Sequence, residues 1–324
     1  MRYILLFSLI AAFATGVDAQ EAQQTAAPAA AKNGGPVAAG YVAHRVFNTR
    51  KNRFADFEVM VAELAKADIV FLGEQHDDPR THQLQAAVLE GIARRYEGPV
   101  VVSFEMFERD AQAALDAYLA GTRPEDEFLA DARPWPNYQA YYRPMVEFAK
   151  SRNWPMVGAN VPRRLAQAVS RQGLATLDSL PDDDRALIAR DLSCPRDEYW
   201  KRFAAQMGDI SGHGVQLTKE QADAMVQRFY ESQCVKDETM AEAIAAAYTA
   251  HGAPVVHANG AFHSDYRLGT VSRVRRRLPD AKIVVVSFVP VTDLDRANGK
   301  SRRKLGEWVV FTLATPKPAA APIP

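Results

Sequence analysis

The chain has 324 residues, with Lys+Arg 39 balanced by Asp+Glu 39, and is 48% hydrophobic and 9% aromatic. A chain this long buries most of the surface that its unfolded form exposes, so it needs no metal or disulfide staple to fold. Zero net charge argues against a dedicated nucleic-acid binder, whose phosphate contacts call for a basic excess, and leaves a small-molecule site open.

In chain order, residues 1–19 come first: Arg2, the apolar run from Tyr3 to Val17, then Asp18-Ala19. This reads as a secretory signal peptide, too short for a spanning helix. Its removal takes one charge of each sign and leaves the balance intact. No later run approaches the length of a transmembrane helix, and no Cys lies near the cleavage point to carry a lipid anchor. The mature protein is therefore expected to be exported, periplasmic or secreted. Residues 20–40, rich in Ala, Pro and Gly, read as a flexible leader and 316–324 as a similar tail, which leaves 41–315 as one folded domain.

Within that domain, short apolar runs predict strands at Ile69–Gly73, Pro99–Phe104, Pro155–Ala159, Pro254–Ala258, Lys282–Val289 and Trp308–Leu313. Several are apolar on both faces, as strands of a covered parallel sheet must be. Between them, helical patterns run over Pro79–Tyr96, Arg109–Ala120, Tyr138–Arg152, Pro162–Gln172 and Ser264–Leu278. The alternation predicts an α/β fold, a mostly parallel β-sheet flanked by helices. Residues 174–252 break the rhythm, being helical without strands, and read as an insertion capping one sheet edge. Thr218 and Gln221 there make a capping box. Cys194 and Cys234, the only cysteines, form an even pair in an exported chain and are expected to be disulfide-bonded.

Three strands end on chemically capable residues. Ile69–Gly73 runs into Glu74-Gln75-His76, Pro99–Phe104 into Glu105, and Pro254–Ala258 into Asn259-Gly260 with His263 beyond; Pro155–Ala159 delivers Asn160. Ligands of open parallel sheets bind at the carboxyl ends of strands, so two carboxylates and two imidazoles should meet on one rim. Carboxylate plus imidazole can bind a divalent metal or activate a water, and Glu74, His76, Glu105 and His263 are the candidates for either task. The bland reading of each one alone is a polar residue leaving a strand. Asp78 with Pro79 should open the next helix, and His82 in its first turn is a site residue or a packing histidine. His257, inside a strand, reads as a core histidine. The arginines 273, 275, 276 and 277 with Arg302, Arg303 and Lys304 read as a solvated surface, with an anionic-ligand patch as the alternative.

The segments GEQHDDPRTHQLQ, SFEMFERDAQAALDAYLAG, YYRPMVEFAK, GANVPRR, QCVKDETMAEAI and NGAFHSDYRLG, in that order, resemble the ChaN-type haem-binding family over about His44 to Leu313. The resemblance implies an α/β fold shared with erythromycin esterase and Tiki/TraB proteins. It also implies haem binding linked to iron acquisition, with haem held between the protomers of a homodimer and passed on from an outer-membrane receptor. In the esterase and Tiki branches, Glu74, His76, Glu105 and His263 would support hydrolysis. The chain departs from the family in carrying Thr81-His82 where His-His is common, and in lacking a lipidated Cys. A haem site needs an axial donor, an apolar slot and partners for two propionates. Tyr138, Tyr141 and Tyr142 are the tyrosine candidates, with His82 and Asn160 nearby and Arg163 and Arg164 for the propionates; their bland reading is packing and solvation at element boundaries.

Overall fold

The computed structural model describes residues 40–207 and 218–314. The expected signal peptide, nearly all of the leader and the tail lie outside the described residues.

Eight strands, β1 (His44–Asn48), β2 (Arg53–Ala55), β3 (Ile69–Glu74), β4 (Val101–Glu108), β5 (Met156–Asn160), β6 (Val255–Gly260), β7 (Ile283–Val291) and β8 (Trp308–Leu313), form one sheet of order β2-β1-β8-β7-β3-β6-β4-β5. The six strands from β8 to β5 are parallel, and β1 joins both β8 and β2 antiparallel. The six parallel strands are those expected from the apolar runs; the antiparallel pair at one edge adds to them. The helices are α1 (Phe57–Leu64), α2 (Pro79–Ala93), α3 (Gln112–Leu119), α4 (Glu125–Ala132), α5 (Tyr138–Tyr141), α6 (Arg143–Ser151), α7 (Arg163–Gln172), α8 (Asp182–Ala186), α9 (Glu198–Met207), α10 (Lys219–His251), α11 (Gly269–Arg277) and α12 (Gly299–Arg302).

Strand side chains alternate between faces, and both faces are covered. Val70, Leu72, Val102, Phe104, Val256 and Val286 pack on one side against Val61 of α1, Val88 of α2, Leu115 of α3 and Val146 of α6. Ile69, Phe71, Val101, Val255, Ile283 and Val285 pack on the other against Ile244 of α10 and Val274 of α11. This is why the strands read as unbroken apolar runs.

The 174–252 region is helical without strands among its described residues, as expected, and covers the β5 edge of the sheet. Its 33-residue helix α10 lies along the sheet, touching β4, β5 and β6 as well as α7 and α11, and is a structural layer of the fold. The helix starts at the anticipated capping box, where the Thr218 hydroxyl accepts from the Gln221 backbone and the Gln221 side chain accepts from the Thr218 backbone. Asp182–Asp184 form the first turn of α8 directly after Pro181. Cys194 and Cys234 are joined by a disulfide that ties the segment ahead of α9 to the middle of α10. No helix among the described residues is long and apolar enough to cross a membrane.

Candidate functional site

The strand ends meet as expected, at the carboxyl edge of β3, β6 and β4. Register aligns Gly73 with Asn259 and Glu74 with Gly260, while Phe104 pairs with Ala258, so Glu105, still within β4, lies beside them. A register shift in the β4–β5 pairing after Phe104 re-aims the β4 chain at this point, as bulges beside functional sites commonly do.

Glu74 is buried and fully engaged. Its Oε1 receives the Tyr142 hydroxyl and pairs with His76 Nδ1 at 2.9 Å; its Oε2 accepts from Gln85 Nε2 at 2.8 Å. Burial acts to raise its pKa, but the His76 hydrogen bond, the charges of His82 and His76 and the Tyr142 hydrogen bond outweigh it, and the carboxyl stays below its ordinary value. His76 is the solvent-facing member, its side chain 46% exposed. Burial acts to lower its pKa, but the hydrogen bond to Glu74 and the charges of Glu105 and Glu74 raise it overall. The Trp135 ring meets the imidazole edge-on with centroids 4.8 Å apart.

A second array lies alongside. Glu105 Oε2 accepts from the Gly260 amide at 2.7 Å, and its Oε1 lies 3.3 Å from His263 Nε2; His263 Nδ1 is 2.8 Å from Asp237 Oδ1, which also accepts from Thr270. Burial opposes charge on His263, yet Glu105 and Asp237 on either side lift its pKa to about 10, so it is an imidazolium at neutral pH. Burial likewise opposes charge on Glu105 and Asp237, but the His263 charge holds both carboxyls low. Gly260 joins the two arrays: a methyl group on its Cα would come within 2.7 Å of His76 Nε2 and 3.5 Å of Glu105 Oε2. Only a residue without a side chain lets the imidazole lie over this strand end.

The remaining candidates separate. His82 is buried, stacked on Tyr141 with centroids 4.3 Å apart, and pairs with Gln85 Oε1 and the His76 carbonyl. It braces Glu74 and does not reach solvent. Tyr142 and Tyr138 are core residues, and burial raises both phenols well above their usual range. The Tyr138 hydroxyl has no hydrogen-bond partner among the described residues. Tyr141 is the partly exposed tyrosine of the three; burial, with the charges of Asp77 and Asp78, raises its phenol too. Asn160 turns back on its own backbone, Oδ1 accepting from the Val161 amide at 2.9 Å. Arg164 is held by Asp184 through two 2.6 Å contacts, while Arg163 is exposed at the start of α7. His257 is buried beside Ser103, and burial lowers its pKa to about 3, as befits a core histidine.

The expectation of a divalent metal at Glu74, His76, Glu105 and His263 finds no support among the described residues. Glu74 and His76 belong to one array and Glu105 and His263 to the other, and among the described residues no group of three or more His, Cys, Asp or Glu is arranged to hold a metal ion. Gln85, Gln233 and Asp237 complete the site without having been singled out in the sequence for it, and Tyr142, a haem-site candidate in the sequence, donates its hydroxyl to Glu74. The one local signal was the helical spacing of His82 and Gln85. The others arrive from segments 26 to 68 residues away.

No curated protein matches the chain. Among solved structures, "Cofacial heme binding to ChaN of Campylobacter jejuni" is similar at 19% identity and TM-score 0.59, covering 84% of this chain and 97% of that one. A succinoglycan biosynthesis protein aligns at 14% identity and TM-score 0.43, over 72% of this chain and 68% of that one. An erythromycin esterase mutant in its open conformation aligns at 13% identity and TM-score 0.42, over 76% and 77%. The first of these shows that the α/β fold is the ChaN fold. The profile of the family described as "Haem-binding uptake, Tiki superfamily, ChaN" matches residues 60–274, and the chain belongs to that family.

Proposed function

We propose that this chain is an exported haem-binding protein that serves iron uptake, holding haem against the strand-end rim in a homodimer and receiving it from an outer-membrane receptor. Family membership over 60–274, with a half-exposed imidazole at the rim, is the observation that carries this reading. The donor set fits haem. His76 has Nδ1 tied to Glu74 and Nε2 without a hydrogen-bond partner among the described residues. A carboxylate behind a ligating imidazole is the common way to orient it and raise its basicity. Trp135 and Tyr141 supply aromatic surface around it, Tyr141 is the accessible phenol, and Arg163, exposed at the start of α7, is the candidate to face a propionate. When bound, haem supplies an iron centre whose axial ligand and surrounding polarity set its behaviour. The residues of this chain bind and orient it.

Titration of the full chain with haemin should give a saturable Soret shift that His76→Ala or Tyr141→Phe weakens, while Tyr138→Phe leaves it in place. Protein recovered from the cell envelope should begin after Ala19. The absence of any saturable spectral change would sink this reading.

A second reading, a Glu/His-dependent hydrolase, is favoured by the Glu105–His263–Asp237 array, whose buried charges haem binding does not require. In it His76, backed by Glu74, takes a proton from water that attacks an ester or amide carbonyl, then returns that proton to the alcohol or amine as the C–O or C–N bond breaks, and the Gly260 edge leaves room for the substrate. A screen of ester and amide substrates should then show turnover that falls at least about 100-fold in His76→Ala, the size of a general-base contribution. Full retention of any detected turnover in that variant would refute it.

A further inference from the structure

We propose that the chain carries a second binding site, for a small dianion such as a phosphate or a dicarboxylate, in a cavity lined by Glu198 and Arg202 of α9, Tyr266 and Arg267, and Arg303 and Lys304. This cavity has a volume of about 520 Å³, within the usual range of small-molecule sites, and shares no lining residue with the rim. Its charge is unbalanced in a specific way. Arg202 pairs with Glu198 at 3.0 Å and Arg267 with Glu307 at 2.7 Å, so the acids at hand are committed. Arg303 and Lys304 are exposed and have no ion-pair partner among the described residues, which leaves two positive charges facing the cavity. Asp265 lies behind the wall. Burial lifts its carboxyl to about 7 against the Ser287 hydrogen bond and the charges of Arg302 and Arg202, so at neutral pH it offsets this surplus only in part.

The wall is built and held. Tyr266 and Arg267 are consecutive non-glycine residues with φ of 62° and 61°, in the left-handed region that side chains disfavour. Such strain persists only where the surroundings over-determine it, and it gathers at ligand sites. Here the Tyr266 amide donates to the Leu305 carbonyl at 2.8 Å, and the Arg202 guanidinium lies 3.6 Å over the Tyr266 ring. These contacts fix the wall between α9 and the Arg303-Lys304 pair, with Leu268 giving the cavity an apolar side. Two unpaired cations beside a fixed wall suit an anion with two charged oxygens. The sequence showed Arg302, Arg303 and Lys304 as part of one basic surface with the arginines of α11. The structure separates them, because Arg273, Arg276 and Arg277 are spent on Glu238.

The test is calorimetric titration of the full chain at low ionic strength with inorganic phosphate, succinate and, as a monoanion control, acetate. The expected result is saturable binding of at least one dianion, no binding of acetate at equal concentration, and an affinity at least about 10-fold weaker in Arg303→Gln/Lys304→Gln, the effect expected for charged hydrogen bonds. Both side chains are exposed, so the variant should fold; a thermal melt checks this, and only the parent should gain stability with the dianion. Equal affinity in parent and variant, equal binding of acetate, or no saturable binding of either dianion would overturn the proposal. The haemin response of the variant should match the parent, since the rim is untouched; a variant that lost haemin binding alone would count against a separate site.

Discussion

Gly260 is where the two polar arrays touch, and a methyl group there would sit 2.7 Å from His76 Nε2. The half-exposed imidazole is free to swing away, so Gly260→Ala should change the melting temperature little while weakening the haemin response as strongly as His76→Ala. Unchanged haemin affinity with a properly folded variant would show that the imidazole position does not matter. Glu74, His76, Glu105 and His263 were legible in the sequence because each follows an apolar strand run, and a parallel sheet brings strand ends together. Their partners were not. Asp237 reads as one acid in a long polar helix, and nothing local says that it alone faces His263; Tyr142 reads as a boundary aromatic, yet its hydroxyl is buried on Glu74. Such pairings depend on helix rotation about the sheet, which a periodic pattern does not specify to the residue.

At the scale of elements, α10 and α11 are locked by Glu238, a fully buried carboxylate that lies 2.7 to 3.2 Å from Arg273, Arg276 and Arg277. Removing the charge leaves the buried Arg273 with Asp237 as its remaining carboxylate neighbour and frees Arg277, so Glu238→Gln should lower unfolding stability by about 3 kcal/mol. Urea denaturation monitored by circular dichroism measures this, with the midpoint shifting and the slope unchanged. The six parallel strands and the helices after them followed from apolar runs and caps; Asp78 does cap α2 by accepting from the Arg80 amide. Besides the four-residue α12, four elements gave no comparable signal. β1 and β2 span five and three residues and form by pairing with β8 and with each other, and α1 and α4 are eight-residue helices whose stability comes from the core they meet. The helical insertion was legible as a cap on a sheet edge, but not which strands α10 covers, because an amphipathic pattern says that a face is buried and not against what.

For the whole molecule, the buried charges make stability depend on pH in a definite sense. His263 has a folded pKa of about 10 against an ordinary 6.5, so the stability it contributes is complete below about 6.5 and is lost as pH rises towards 10. The raised His76 adds a change of the same sign. Glu74, Glu105 and Asp237 are lowered, and their contribution is lost on the acid side instead. Denaturation midpoints should therefore fall between about pH 7 and 10, and His263→Gln, which cannot titrate, should flatten most of that fall. A flat profile in the parent would contradict the charged imidazole. By itself the sequence determined the α/β class, the family resemblance, the cysteine pair and the four polar strand ends, because strand burial, chain order and residue type are local properties. Only the tertiary structure decided which side chains are spent on each other, which tyrosine is accessible, and where the unpaired cations gather. Those outcomes depend on which distant residues share a desolvated space, and the free energy of a buried charge is set by that company.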